Sequence, residues 1–330
     1  MQSPVTLSVG LLVALFLAAL LVAGGDPGSF VTIVLSGLFQ GMLLFLVASG
    51  LSIIFGLMDV LNFAQGVYFM VGAYVAYDFH HREAVMAAIP NSDLRFVLAV
   101  IVATCVGAIL GVILERVLLR PLYARPIFQI VLTFGVGIVL TEVVKFIWST
   151  TPYSWTAMFT VRDLRFELFE QSFFTYRLFV ILIGFVMIIT VALLLRFTRI
   201  GIIIRAGVED SEMVEALGIN VRAVFTLVFT LGCALATFGG AIAAPFLGAT
   251  PSLGTNYLLG AIAIVALGGL DSYEGAALAS VVVGVGGAIM QQFTLTSDLL
   301  APVWASLTPM LLLTVVLLVR PRGLFGTKVE

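Results

Sequence analysis

The sequence predicts an all-α polytopic membrane protein with about 8–10 transmembrane helices, some of them broken or re-entrant. Three observations carry this prediction. First, 61% of the 330 residues are hydrophobic and only 10% are charged, with a mean hydropathy of +1.19; a water-soluble fold cannot hide that much apolar surface. Second, apolar runs of about 20 residues, the length needed to cross a bilayer as a helix, recur along the chain. Third, basic residues gather in three places: Arg116, Arg120 and Arg125; Arg196 to Arg222; and Arg320, Arg322 and Lys328. No Lys or Arg occurs from Ala223 to Val319. Residues 1–330 read as a single transmembrane domain.

The first run, Val5 to Ala23, has no Lys or Arg before it, whereas a secretory signal carries a basic leading region. Ala23-Gly24-Gly25 would permit cleavage; a retained first span is the expectation. Further spans are expected near 30–57, 96–116, 127–148, 178–196, 222–247 and 300–319. Runs at 62–78, 256–270 and 275–293 are shorter or more polar, and each is either a full span or part of a broken one. GxxxG pairs at Gly37/Gly41 and Gly107/Gly111 suit close helix packing.

The three basic regions belong on the cytoplasmic side. Counting ten spans then places both termini in the cytoplasm and the 79–95 and 149–177 loops outside; eight full spans plus one broken pair fit as well. In the outer loop, Leu164-Arg165-Phe166-Glu167-Leu168 alternates apolar and charged residues, the pattern of a short exposed strand. Pro152 and Trp155 are expected at the membrane exit. The loop serves either as a connector or as a landing surface for an external partner.

Several function classes find no support. The chain has no G-x-x-x-x-G-K-[ST] phosphate loop, no H-E-x-x-H and no G-x-S-x-G. No catalytic residue, metal ligand set or cofactor site is expected. His80 and His81 are read as interfacial side chains, and Cys105 and Cys233 as small core residues. A net charge of −2 gives no reason to expect nucleic acid.

Polar residues inside apolar runs are candidates for function because hydrocarbon does not satisfy them. Asp59, Asn62 and Gln65 recur every three residues and would share one face of a helix, followed by Gly66 and Gly72, which allow close backbone approach or an interruption. These five are candidates for a translocation path or gate. The alternative is a tight cytoplasmic turn with Asn62 as a helix N-cap. Leu267 to Gly275 forms a second polar interruption, with Asp271 and Glu274 as candidate caps, and Glu142 and Lys145 are spaced to pair.

The densest charge lies from Arg199 to Arg222, where Glu209, Asp210, Glu212 and Glu215 sit between arginines that include Arg205. Asp210 and Ser211 suit a helix N-cap and Gly218 a C-terminal stop. A membrane protein that concentrates charge in one internal loop, here 197–221, is expected to hold something soluble with it.

Ala48-Ser49-Gly50-Leu51-Ser52-Ile53-Ile54-Phe55-Gly56-Leu57-Met58-Asp59-Val60-Leu61-Asn62-Phe63-Ala64-Gln65-Gly66, followed by Met70 and Gly72-Ala73-Tyr74, resembles the opening signature of branched-chain amino-acid ABC importer permeases. Gln65 stands where that signature more usually has His. Thr198 to Gly201, Arg205-Ala206, Asp210, Met213 and Ala216 to Val221 are also similar, as are Gly239-Gly240, Ala266 to Leu270 and Val319 to Gly326. The resemblance covers nearly the whole chain in order, and its methionine-bearing block points to the H-type subunit.

It implies a pore-forming permease subunit in a bacterial inner membrane that moves branched-chain amino acids delivered by a periplasmic solute-binding protein. It further implies an M-type permease partner in a heterodimer and two cytoplasmic ATPases, which use the ATP. The resemblance also implies a short helix at 210–217, which would couple the ATPases to the permease through Arg205, Asp210, Glu212, Glu215, Ala216 and Gly218. Urea, short amides and aromatic or organic carboxylates are alternative cargoes for the same kind of importer. A stand-alone secondary transporter and, more distantly, an intramembrane enzyme are readings of another class.

Overall fold

The computed structural model describes residues 4–123, 125–156, 159–168, 171–209, 211–270, 272–296, 303–320 and 323–325. The first five helices are α1 (Pro4–Val22), α2 (Pro27–Met58), α3 (Gln65–His81), α4 (Glu83–Ala88) and α5 (Ser92–Ile113). α5 continues as a π-helix over Leu114–Leu119 and one 3₁₀ turn over Arg120–Leu122. Then come α6 (Pro126–Trp148), the short α7 (Thr160–Asp163), strands β1 (Arg165–Leu168) and β2 (Gln171–Phe174), and α8 (Thr175–Phe197). α9 (Arg199–Glu209), α10 (Ser211–Ala216), α11 (Val221–Leu247), α12 (Leu253–Gly268), α13 (Tyr273–Thr296) and α14 (Val303–Val319) complete the order.

Each of the ten apolar runs is a helix within a few residues of its expected bounds, and six helices among the described residues are long and apolar enough to cross a membrane. The protein is a multi-pass membrane protein. α6 shows what lipid permits: Ile127, Val131, Phe134, Val139 and Phe146 all point outward, more than half exposed.

The chain folds into two compact units, one made of Met1–Phe45, Thr160–Val186 and Gly260–Glu330, the other of Leu46–Phe159 and Met187–Leu259. In the first, α13 packs on α1 and α14. α2 approaches α13 through its small residues: a Cβ added at Gly37 would sit 2.6 Å from the Val285 backbone, and one at Gly41 2.5 Å from the Ser280 carbonyl. Asp26 starts α2 by accepting the Ser29 amide at 2.7 Å, and its hydrogen bonds to Ser29 hold its carboxyl below the usual range.

β1 and β2 pair antiparallel, with Phe166 stacked on Phe173 and the Arg165 guanidinium over the Phe174 ring, as the alternating sequence predicts. After α14 the chain returns to α12. The Leu324 and Phe325 amides donate to the Leu267 and Gly268 carbonyls at 2.8 and 2.9 Å. α13 is capped by Ser272, which accepts the Gly275 amide at 3.0 Å, a role the sequence assigned to its acidic neighbours. Of those, Asp271 lies outside the described residues.

The second unit is built on α3, α5 and α11, packed against one another. Again small residues set the distance. Gly72 faces the Thr237 backbone, Gly240 the Phe69 carbonyl, Gly107 the Thr237 side chain and Gly111 the Cys233 side chain. Close approach leaves Tyr68, Phe69, Met70 and Tyr74 fully buried around α3.

One end of this unit closes on aromatic rings. His80 lies 4.7 Å from Trp155, Phe96 stacks on Phe159 at 4.6 Å, and Tyr77 packs on Tyr153 at 5.0 Å between centroids. One expectation is corrected here: His80 is fully buried rather than interfacial, and Trp155 beside it is 4% exposed. Ring-on-ring packing outweighs the interface because both residues belong to the seam where α3 meets the 149–159 segment. Cys105 is exposed on α5 whereas Cys233 is buried; apolar surroundings in sequence do not distinguish a core face from an outward one in a membrane helix. Lys145 and Glu142 pair at 2.7 Å, as their spacing predicts.

Candidate functional site

α2 ends at Met58, and helix does not resume until Gln65. Asp59 takes a positive φ of 54° and its amide still reaches the Phe55 carbonyl at 2.8 Å, closing the helix. Because 59–64 is not helical, the three-residue spacing does not put Asp59 on one face with Asn62 and Gln65. Asp59 is exposed; Asn62 and Gln65 are at most 1% exposed.

The non-helical segment is held against the middle of α6. The Phe63 amide donates to Thr133 Oγ1 at 3.2 Å, and that hydroxyl is 3.2 Å from the Leu61 carbonyl. One turn further on, Gly137 leaves room for Ala64 and Val67. Thr133 and Gly137 stand about 10 and 16 Å from the start of a helix about 34 Å long, at 1.5 Å per residue. Unwound backbone at this depth is tolerated only where protein satisfies it.

Asn62 and Gln65 supply that satisfaction. Asn62 Oδ1 accepts the Ala64 amide at 3.1 Å, and Asn62 Nδ2 donates to Gln65 Oε1 at 3.0 Å. Gln65 Nε2 passes the chain on to the Gly232 carbonyl of α11 at 2.8 Å. Gly50 and Gly232 make the space, since a side chain at Gly50 would collide with the Gln65 amide and one at Gly232 with Ile54. Ala64 is the N-cap residue of α3; Asn62 caps only by accepting the Ala64 amide. Gly66 lets the first turn of α12 approach, since an added Cβ would meet the Gly254 carbonyl. Thus Asn62, Gln65 and Gly66 are brought into one buried block, Gly72 belongs to the α3–α11 seam, and Asp59 stands apart. Thr133, Gly50 and Gly232 were missed by the sequence reading. A threonine and two glycines are ordinary in membrane helices, and Thr133 and Gly232 meet Phe63 and Gln65 across 70 and 167 residues of chain.

The charged loop forms two short helices, α9 and α10. Asp210 and the side chains of Arg205 and Glu212 lie outside the described residues. α10 ends as expected at Gly218, whose φ is 83°. The Gly218 amide donates to the Glu215 carbonyl at 2.9 Å and the Ile219 amide to the Val214 carbonyl at 3.3 Å, the paired bonds of a Schellman stop. Glu215, Ala216 and Gly218 are exposed. So are Met213 at 61% and Leu217 at 74%, while Val214 is turned inward at 4%. The loop then closes on Asn220, whose side chain accepts the Ala223 amide and starts α11.

A protein family described as "Branched-chain amino acid transport system / permease component" matches residues 33–319. The chain belongs to this family. The match contains both the buried block and the charged loop, while α1 and the returning tail fall outside it. The branched-chain permease protein LivH of Salmonella typhimurium is 28% identical over 295 residues, covering 88% of this chain and 94% of that protein. BraD of Pseudomonas aeruginosa, described as a high-affinity branched-chain amino acid transport system permease protein, is 28% identical over 302 residues, with the same coverage. A probable LivH of Methanocaldococcus jannaschii is 26% identical over 86% of this chain and 89% of its own length. A solved structure described as PsaBC from Streptococcus pneumoniae in complex with Fab aligns over 87% of this chain and 91% of its own, with a TM-score of 0.44 and 15% identity. Family membership over residues 33–319 gives the block and the loop one setting, a membrane permease.

Proposed function

We propose that this chain is the H-type, pore-forming permease subunit of an ATP-binding-cassette importer for branched-chain amino acids. The observation that carries the reading is the family match over 33–319. An M-type permease subunit would complete a heterodimer in a bacterial inner membrane, with both termini of this chain in the cytoplasm. A periplasmic solute-binding protein would deliver the cargo, and two cytoplasmic ATPases would use the ATP, so this chain performs no chemistry of its own.

The exposed pair Met213 and Leu217 beside the Glu215 carboxylate supports α10 as the element the ATPases grip: apolar anchors with a charged rim are the usual composition of such contacts. Asp210, Arg205 and Glu212 are proposed partners in the same grip, on sequence grounds. The buried block of Asn62, Gln65 and Gly66 supports a gate, because helix is interrupted there at depth and can move without exposing backbone to lipid. In this role Asn62, Gln65 and Gly66 form the latch rather than the lining, Gly72 keeps α3 close to α11, and Asp59 marks the hinge after α2.

Reconstitution tests the reading. The chain with its M-type partner, both ATPases and the binding protein, in proteoliposomes, is expected to accumulate labelled leucine only when ATP is present. Uptake by this chain alone would overturn the assignment to an ATP-driven importer. Uptake of urea, an amide or an aromatic carboxylate in place of leucine would keep the machine and replace the cargo.

A further inference from the structure

Among the described residues, Glu115 is the only acidic side chain that is buried, at 0% exposure. It sits inside the π-helical stretch at the end of α5. Its Oε1 accepts the Tyr123 hydroxyl at 2.6 Å and lies 3.4 Å from Arg120 Nε, while Oε2 has no hydrogen-bond partner. Arg120 does not stop there. Its Nη2 donates to Thr226 Oγ1 at 3.0 Å and reaches the Arg222 carbonyl at 3.4 Å. Thr226 in turn donates to the same Arg222 carbonyl at 2.9 Å, and Tyr123 meets Phe225 edge to face. Thus one guanidinium ties the end of α5 to the first turns of α11, a few residues after the charged loop ends.

Two features make this more than a static tie. A carboxylate at zero exposure, with one oxygen unpaired and a partly exposed arginine as its counter-charge, is an under-satisfied network. Such a network is stable only in the arrangement that keeps its remaining bonds. The backbone beneath it is also in the less common of two registers. A π-turn holds one residue more than an α-turn. Reverting Leu114–Leu119 to α geometry would rotate all that follows by about 100°, one residue of helix. Arg120 and Tyr123 follow the π-stretch and Glu115 lies within it, so the register decides whether they reach the carboxylate.

We propose that Glu115, Arg120 and Thr226 form a clasp that passes movement of the 197–221 loop from the start of α11 into α5. Thr226 and the Arg222 carbonyl are the input, Arg120 is the link, and Glu115 holds the link through the π register. These are positioning residues, and the inference rests on the proposed role of the loop in receiving force from the ATPases.

The test uses the complete importer in proteoliposomes and reads substrate moved per ATP hydrolysed. Thr226→Val removes the acceptor for Arg120 while keeping the shape, and Glu115→Gln removes the charge while keeping an acceptor for Tyr123. Each is expected to leave ATP hydrolysis within about twofold and to lower transport per ATP about tenfold (near 1.4 kcal/mol). The double variant is expected to be no worse than either single one, because both cut the same chain. Thr226→Ser, which retains the hydroxyl, should couple normally. Unchanged transport per ATP in Thr226→Val, additive losses in the double variant, or failure of Thr226→Val to assemble would each overturn the clasp. A wild-type importer that couples normally beside a Thr226→Val variant that also does so refutes the clasp alone. A wild-type complex with no ATP-dependent uptake refutes the underlying functional reading.

Discussion

Asn62 meets three partners with one amide, so its replacements differ in a definite order. Asn62→Ala leaves the buried Ala64 amide without its acceptor and Gln65 Oε1 without its donor, a cost of about 1–3 kcal/mol for an unsatisfied buried group. Asn62→Asp keeps the acceptor but sets a buried carboxylate against Gln65 Oε1, and is expected to cost more. The melting temperature of the purified protein in detergent should fall from wild type to Ala to Asp; an Asp variant as stable as wild type would show that the block is open to water. Gly218 isolates a different term. A Cβ there meets nothing within 4 Å, so only its φ of 83° resists substitution. Gly218→Ala is expected to lose about 1–2 kcal/mol of local stability and Gly218→Asn less, read as faster amide exchange at Gly218 and Ile219. Gly218 was legible as a stop because helix ends are local signals. Of the Asn62–Gln65–Gly232 chain, only the three-residue spacing of the first two was legible. The third partner is a backbone carbonyl 167 residues away, which no side-chain pattern announces.

At the scale of elements, run length and charge located the helices because lipid demands both. They did not explain why the 62–78 run is short. The reason is that α3 starts beside the middle of α6, so it needs only part of the membrane's thickness, and nothing in its own composition reports that starting depth. The π-stretch was hidden for a similar reason: Glu115 next to Arg116 reads as the ordinary charged end of a span. Helix contacts made by glycine are testable by contrast. Gly66→Ala drives a methyl into the Gly254 carbonyl, whereas Gly287→Ala, in α13, meets nothing within 4 Å. The first is expected to destabilise by about 1–3 kcal/mol, as overpacking does. The second should stabilise by about 0.5–1 kcal/mol, from helix propensity alone. Thermal unfolding of the two variants should move in opposite directions, and equal losses would mean that the α3–α12 contact is not a tight one.

For the whole molecule, the orientation that the proposed ATPase contact of the loop requires can be read chemically from two exposed glutamates of one unit. Glu83 opens α4, on the side where α6 ends at Trp148 and where Tyr77, Tyr153 and Trp155 gather. Glu215 lies on α10, on the side where Arg120 meets the start of α11. α6 connects the two sides over about 34 Å, slightly more than the hydrocarbon core of a bilayer. With Cys105, the exposed native thiol, replaced by serine, Cys233 remains at 0% exposure and should stay silent to a charged maleimide. Glu83→Cys is then expected to react in right-side-out vesicles and Glu215→Cys only in inside-out ones. Reaction of Glu215→Cys from the outer face would reverse the positive-inside assignment and remove α10 from reach of any cytoplasmic ATPase. Reaction of both from the same face would mean that α6 does not cross. With the expected pattern, bound ATPases should shield Glu215→Cys while leaving Glu83→Cys reactive, because an interface that grips α10 must cover its exposed Met213–Leu217 side. The same two thiols thus report the orientation and, in one further step, the partner's footprint.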